Sequence, residues 1–240
     1  MSRTNKTLDG PIHPCKLWLQ WSSDGSIWKA WNKETKQNDY YEASSLKFIV
    51  LDVLSTLTGY NDKAQKGYYA NELRSLKDPF RLMCDGKLMS EATWAEIKPM
   101  FSDVKFTASV YAMCKGEGIP EYTLANMKLS GASLGSWIEF VRQVGGNRAL
   151  YENIVVGVPE VGSDKKGKVE YSYPIFQVVG RTLSEQASAK ADELDIQLQQ
   201  YLDHYFSNGT QTHTEGTEFY PTEIDAPSPV EAIDPESIHF

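Results

Sequence analysis

The sequence predicts a mainly β chain of the α+β class, a barrel or sandwich elaborated with short helices, followed by a C-terminal helix and a disordered acidic tail. Three observations carry this. Apolar and polar residues alternate with period two over many short runs bounded by Gly and Asp turns. Near residues 183–207 the pattern changes to a helical period. Residues 208–240 hold no Lys or Arg, collect seven acids and are broken by Pro221, Pro227, Pro229 and Pro235.

Taken in order, residues 1–14 read as a loose leader punctuated by Pro11 and Pro14. From Lys16 the alternation begins, with Leu17, Leu19 and Trp21 opposing Lys16, Trp18 and Gln20. Ser23-Asp24-Gly25 turns the chain into a second alternating run, Ser26 to Asn32, and this is a β-hairpin. A polar turn over 33–38 leads to a short Tyr40-Tyr41 strand and then to Leu46–Leu54, a buried strand. Residues 56–66 read as loop and 67–76 as a strand. Phe80–Cys84 and Leu88-Met89 flank the turn Asp85-Gly86-Lys87, and Ser90 is placed to cap a short helix running to Met100. Val104–Cys114 alternates, with Val104, Phe106, Ala108, Val110 and Ala112 against Lys105, Thr107, Ser109, Tyr111 and Met113. It pairs with 121–130. Residues 131–144 read as a helix carrying Leu134, Trp137, Ile138 and Val141 on one face, and 150–158 and 168–179 as strands around a charged loop.

The last folded element is a helix over 183–207, with Thr182 and Glu185 as its capping box and Asn208-Gly209 as its stop. Its apolar positions Ala187, Ala191, Leu194, Leu198, Tyr201 and Tyr205 follow a heptad-like spacing. Such a stripe packs on a sheet or joins two copies in a homodimer. The organisation expected is therefore a leader (1–14), a body (15–182), a helix (183–207) and a tail (208–240). The tail has too little apolar material to offset chain entropy.

At 240 residues, 41% hydrophobic and 23% charged, the chain is long enough for a sizeable core. The formal charge of −8 is unevenly spread. Eleven of the 32 acids follow Lys190, the last basic residue, so residues 1–190 hold 21 acids against 24 Lys and Arg, a net of +3. A mildly basic body before an acidic end suggests a nucleic-acid surface paired with a segment that competes for it. Cys15, Cys84 and Cys114 lack metal-site spacing and suit a reducing compartment. Polar residues 1–10 do not resemble a signal peptide, and the apolar run at 48–54 is too short to span a bilayer. A cytoplasmic protein without membrane contact is expected.

Catalysis finds little support. The four histidines are His13, His204, His213 and His239, none within the strands of the body, and no nucleophile, phosphate-loop or metal-protease motif occurs. No catalytic residue, metal or cofactor is expected. Binding of single strands needs aromatic faces for the bases and cations beside them for the phosphates. Four of the six tryptophans, Trp18, Trp21, Trp28 and Trp31, fall within fourteen residues, interleaved with Lys16, Lys29, Lys33 and Lys36. Alternation lets only some of these rings enter a core. Tyr41, Tyr68, Tyr69 and Arg74 extend the candidate surface, with Tyr40, Tyr60, Lys63, Lys66, Lys77 and the 165–168 loop as further members.

A β-rich, aromatic and basic body followed by an acidic tail ending on Phe240 resembles replication-type single-stranded DNA-binding proteins, bacterial and phage alike. Leu19-Gln20-Trp21, Asp24-Gly25-Ser26, Phe48-Ile49-Val50-Leu51-Asp52, Gly67-Tyr68-Tyr69-Ala70-Asn71-Glu72 and Gly131-Ala132-Ser133-Leu134 are similar to the phage-encoded forms. The resemblance implies an elaborated OB-like antiparallel barrel that binds single-stranded DNA without strong sequence preference during replication or recombination, in the host cytoplasm if the chain is phage-encoded. It also implies a tail whose Asp234, Glu236, Ile238 and Phe240 dock replication or recombination proteins, and which lies in the basic groove until a strand displaces it. The final residues are less densely acidic than in the bacterial form, and His239 separates Ile238 from Phe240. Two other classes compete: a virion or other structural β-domain assembled through its C-terminal helix, and a metal-dependent nuclease or recombination factor.

Overall fold

The structure is a computed structural model describing residues 12–61, 65–152 and 154–207. Among the described residues eleven strands form one sheet. They are β1 (Leu17–Ser22), β2 (Ile27–Asn32), β3 (Gln37–Tyr41), β4 (Lys47–Asn61), β5 (Lys66–Tyr69), β6 (Phe80–Cys84), β7 (Lys87–Ala92), β8 (Val104–Gly116), β9 (Ile119–Ser130), β10 (Val155–Lys166) and β11 (Val169–Gly180). The helices are α1 (Trp94–Ile97), α2 (Gly131–Val144), α3 (Asn147–Leu150) and α4 (Glu185–Ser207).

The mainly β, α+β expectation holds; the closed antiparallel barrel does not. The order β3-β2-β1-β9-β8-β4-β5-β6-β7 is open, and β1 runs parallel to β9, so the sheet is mixed. Closure fails because β4 shares its second edge. Its first residues pair with β10 (Val156 with Phe48, Gly157 with Lys47), and its last with β5 (Thr58 with Tyr69 through Asn61 with Lys66). The β10–β11 hairpin then folds back to the β1–β2 turn, where Ser172 donates its N–H (2.9 Å) and hydroxyl (2.6 Å) to the Ser23 carbonyl. The Trp21 indole N–H returns a bond to the Ser172 carbonyl at 2.9 Å.

The centre is the β4–β8–β9 group, buried on both sides. Alternate residues Phe48, Val50, Val53 and Leu57 of β4, Ala108, Val110 and Ala112 of β8, and Ala125, Met127 and Leu129 of β9 face one core. There α2 seats Trp137 between Phe48, Phe140 and Phe176, with ring centroids 5.1–6.5 Å apart. A bulge at Leu51 inserts one residue between Val50 and Asp52, and this keeps Val50 and Val53 on the same side. The opposite face, with Ile49, Leu54, Tyr111, Met113 and Leu124, is covered by Ala191, Leu194, Leu198 and Leu202 of α4. The helix's apolar stripe thus packs on its own sheet. Leu202 takes the buried place expected of Tyr201, which is half-buried.

Several boundaries move. The strand expected to end at Leu54 runs to Asn61, and β5 is only four residues long. Ser90 lies inside β7; the capping box belongs to Thr93 and Glu96, with the Thr93 N–H 2.9 Å from Glu96 Oε2. Leu150 closes α3 instead of opening a strand. The charged 163–168 loop continues the β10–β11 ladder to Lys166, where Gly167 (φ 60°) supplies the turn. Ser184, not Thr182, caps α4, its hydroxyl accepting the Ala187 N–H at 3.1 Å. The expected stop at Asn208-Gly209 lies outside the described residues. None of the helices among the described residues is long and apolar enough to cross a membrane.

The two faces of α4 give a direct check. Leu198 is 0% exposed, so Leu198→Ala should cost about 2–5 kcal/mol in urea denaturation. Ile196, 57% exposed, should tolerate Ile196→Ala within about 0.5 kcal/mol.

Candidate nucleic-acid interface

The β1–β2–β3 meander sorts its tryptophans by register. Trp21 stands opposite Trp28 in the ladder, their rings edge to face at 5.2 Å and 79°. Both are buried, at 7% and 0% exposure. Trp28 is therefore a core residue and no stacking platform, a correction that follows from sharing the inward side with Leu19 and Ala30.

The other side is formed by the alternate set. Gln20 opposes Lys29, Lys29 opposes Tyr40 and Trp31 opposes Asn38. Trp31 and Tyr40 are 36% and 60% exposed, whereas Lys29 is largely covered. Trp18 is half-buried on the same side, packed against the α4-side cluster and the His13 ring at 4.8 Å, with exposed Lys16 just before the strand. Lys33 and Lys36 are exposed in the β2–β3 turn, where Lys36 adopts φ 54°. The face continues over the parallel junction, where Trp18 neighbours Asn126 and Gln20 neighbours Lys128. The Lys128 ammonium lies 6.0 Å from the Trp18 ring centre.

The other candidates are placed elsewhere. Tyr41 turns toward the core beside Trp28, and burial, then the Asp39 charge, pushes its phenol up. Tyr68 is buried, its hydroxyl accepting from Asn61 Nδ2 at 2.8 Å. Tyr69 sits half-buried between β4 and β6. Arg74 clamps α4. Its guanidinium bridges to Asp52 at 2.9 Å, donates to Gln199 Oε1 at 2.8 Å and lies over the Phe206 ring at 5.4 Å. Tyr68, Tyr69 and Arg74 are thus removed from the β1–β3 surface by their own packing. Asp234, Glu236, Ile238 and Phe240 lie outside the described residues.

Under α4 the same face holds a polar centre that the sequence reading passed over. Glu72 Oε1 accepts from Lys128 Nζ and Ser109 Oγ, each at 2.5 Å, and Oε2 accepts from the Tyr111 hydroxyl at 2.8 Å. Ser109 in turn accepts from Asn126 Nδ2 at 2.7 Å, and the Glu72 N–H donates to the Tyr205 hydroxyl of α4 at 2.9 Å. Burial alone would raise the Glu72 carboxyl. The Lys128 ammonium and the hydrogen bonds from Lys128, Ser109 and Tyr111 outweigh it and hold the group below the usual carboxylate range. The Tyr111 phenol is pushed up by burial and then by the Glu72 charge. The available signal was polarity at alternate positions, Ser109 and Tyr111 in one strand and Asn126 and Lys128 in the next, which marks one shared face.

This arrangement offers stacking surface, amides and cations, and among the described residues there is no cluster of three or more His, Cys, Asp or Glu able to hold a metal. Comparison with protein-family models, curated proteins and solved structures finds no match for this chain.

Because the Glu72 carboxyl is held below its unfolded value of about 4.3, its contribution is present at neutral pH and lost as pH falls through the folded value. Glu72→Gln leaves Lys128, only 15% exposed, without its counter-charge. The variant should lose about 3 kcal/mol at pH 7, and the gap to the parent should narrow below about pH 4. Urea denaturation at both pH values measures it.

Proposed function

We propose that the protein binds single-stranded DNA without strong sequence preference, in replication or recombination of DNA such as that of a phage. The observation that carries this reading is the aromatic face of β1–β2–β3. Trp31, Tyr40 and Trp18 lie on one side of three adjacent strands, with Lys16, Lys33 and Lys36 at their ends. Bases would stack on the rings while phosphates follow the lysines. Gln20 and Asn38 stand between the rings and offer hydrogen bonds to base edges of any type. The net +3 of residues 1–190 suits a polyanion, and the acidic stretch 208–240, with Asp234, Glu236, Ile238 and Phe240, is the part we assign to recruiting partner proteins.

The structural-protein alternative rests on assembly through the C-terminal helix. It is weakened because Ala191, Leu194, Leu198 and Leu202 are already spent on the chain's own sheet.

Titration with an oligo-dT strand should quench tryptophan fluorescence, with affinity falling as salt rises. Trp31→Ala and Tyr40→Ala should each cost roughly 1–3 kcal/mol of binding. Replacing Lys16, Lys33 and Lys36 together by Gln should lower the log–log salt slope by about 2. A chain that neither quenches nor shifts in a gel assay at low salt would overturn the reading.

A further inference from the structure

A cleft of about 380 Å³ opens where the start of β4, the end of β8 and the chain entering α4 meet. Ile49, Met113, Tyr122, Val155 and Leu183 give it apolar walls on the α4 side of the sheet, and Lys47 and Lys115 are among its polar lining. These two lysines are exposed and stand directly opposite each other in the β4–β8 ladder. Like charges so placed repel. Among the described residues neither has a carboxylate within ion-pair distance. The cleft lies at the opposite end of β4 from the β5 pairing and is formed by none of β1, β2 or β3.

We propose that this cleft binds an apolar monocarboxylate, its chain among Ile49, Met113, Val155 and Leu183 and its carboxylate between Lys47 and Lys115. The volume falls in the range of small-molecule sites, about 300–1,000 Å³. An apolar lining with a few convergent polar groups is the usual build of such a site. A carboxylate between the two ammonium groups cancels their repulsion and gains charge-assisted hydrogen bonds, while the chain leaves water. A neutral apolar molecule leaves the repulsion in place. A small anion leaves the apolar walls wet. The ligand class is therefore set by both halves together, and it is independent of strand binding by the β1–β3 face.

The test uses the full chain labelled with ¹³C at the methionine methyls and decanoate kept below its micelle concentration. Decanol and acetate supply the chain and the charge separately. The Met113 methyl should shift and saturate with decanoate, and decanol and acetate should bind about tenfold more weakly or worse. The double variant Lys47→Gln, Lys115→Gln should lose about tenfold in decanoate affinity while its decanol affinity stays unchanged and its thermal midpoint does not fall, the paired charges being exposed and mutually repulsive. Decanol binding as tightly as decanoate would overturn the proposal, as would undiminished decanoate binding by the variant or a silent Met113. A response dominated by the exposed Met89 and Met100 would show adsorption to the surface and would overturn it equally.

Discussion

The rest of the molecule depends on β4, β8 and β9 being buried on both faces. β8 shows this most directly, with every residue from Phe106 to Cys114 buried. A strand in that position cannot send its alternate side chains to water, so polar groups on the α4 side must find partners inside the protein. Glu72, Lys128, Ser109, Tyr111 and the Asn126 Nδ2 do so with one another, although Asn126 Oδ1 is buried without a partner among the described residues, and Asp52 does so with Arg74 and Gln199. These contacts also choose the seat of α4. Leu194, Leu198 and Leu202 recur every four residues, so a helix slid by one turn would still lay leucines on apolar strands. It would, however, lose the Gln199 bond to Asp52 and the Tyr205 hydroxyl that accepts from the Glu72 N–H. Burial supplies the attraction, and the polar contacts select the register.

That constraint also explains what could be read from the chain. The first hairpin, the β8–β9 pair and α2 announce themselves by period and turn chemistry, and the structure places them within a residue or two of those signals. Sheet closure was not legible. The sharing of the second edge of β4 between β10 and β5 joins segments about a hundred residues apart and leaves no local mark. Ends of elements went wrong where two local signals competed. Ser90 is a good cap, but Thr93 with Glu96 is a better one, and cross-strand pairing with Leu82 keeps Ser90 in β7. For the candidate interface, alternation showed that some tryptophans must turn outward, but not which. The ladder register decides it by setting Trp21 against Trp28. Arg74 carried no sign in the sequence that Asp52, Gln199 and Phe206 would claim it.

The two regions of the outer face meet at Lys128. Its charge is matched by Glu72, and its ammonium lies over the Trp18 ring, which packs against the α4-side cluster. Burying the ammonium next to a carboxylate fixes its position, and the cation then holds the indole by its ring face. On the reading proposed above, Lys128 thus orients a stacking surface and adds little net charge to it, while Lys16, Lys33 and Lys36 at the strand ends remain available to phosphates. Those two contributions respond differently to solution conditions. Ring stacking is short-ranged and insensitive to salt, whereas exposed lysines act over about 10 Å at 0.1 M ionic strength and fade as salt rises. On that proposed reading, the face holds its bases by contacts that every base can make, since each has a π-face, and uses charge chiefly to bring the strand within reach.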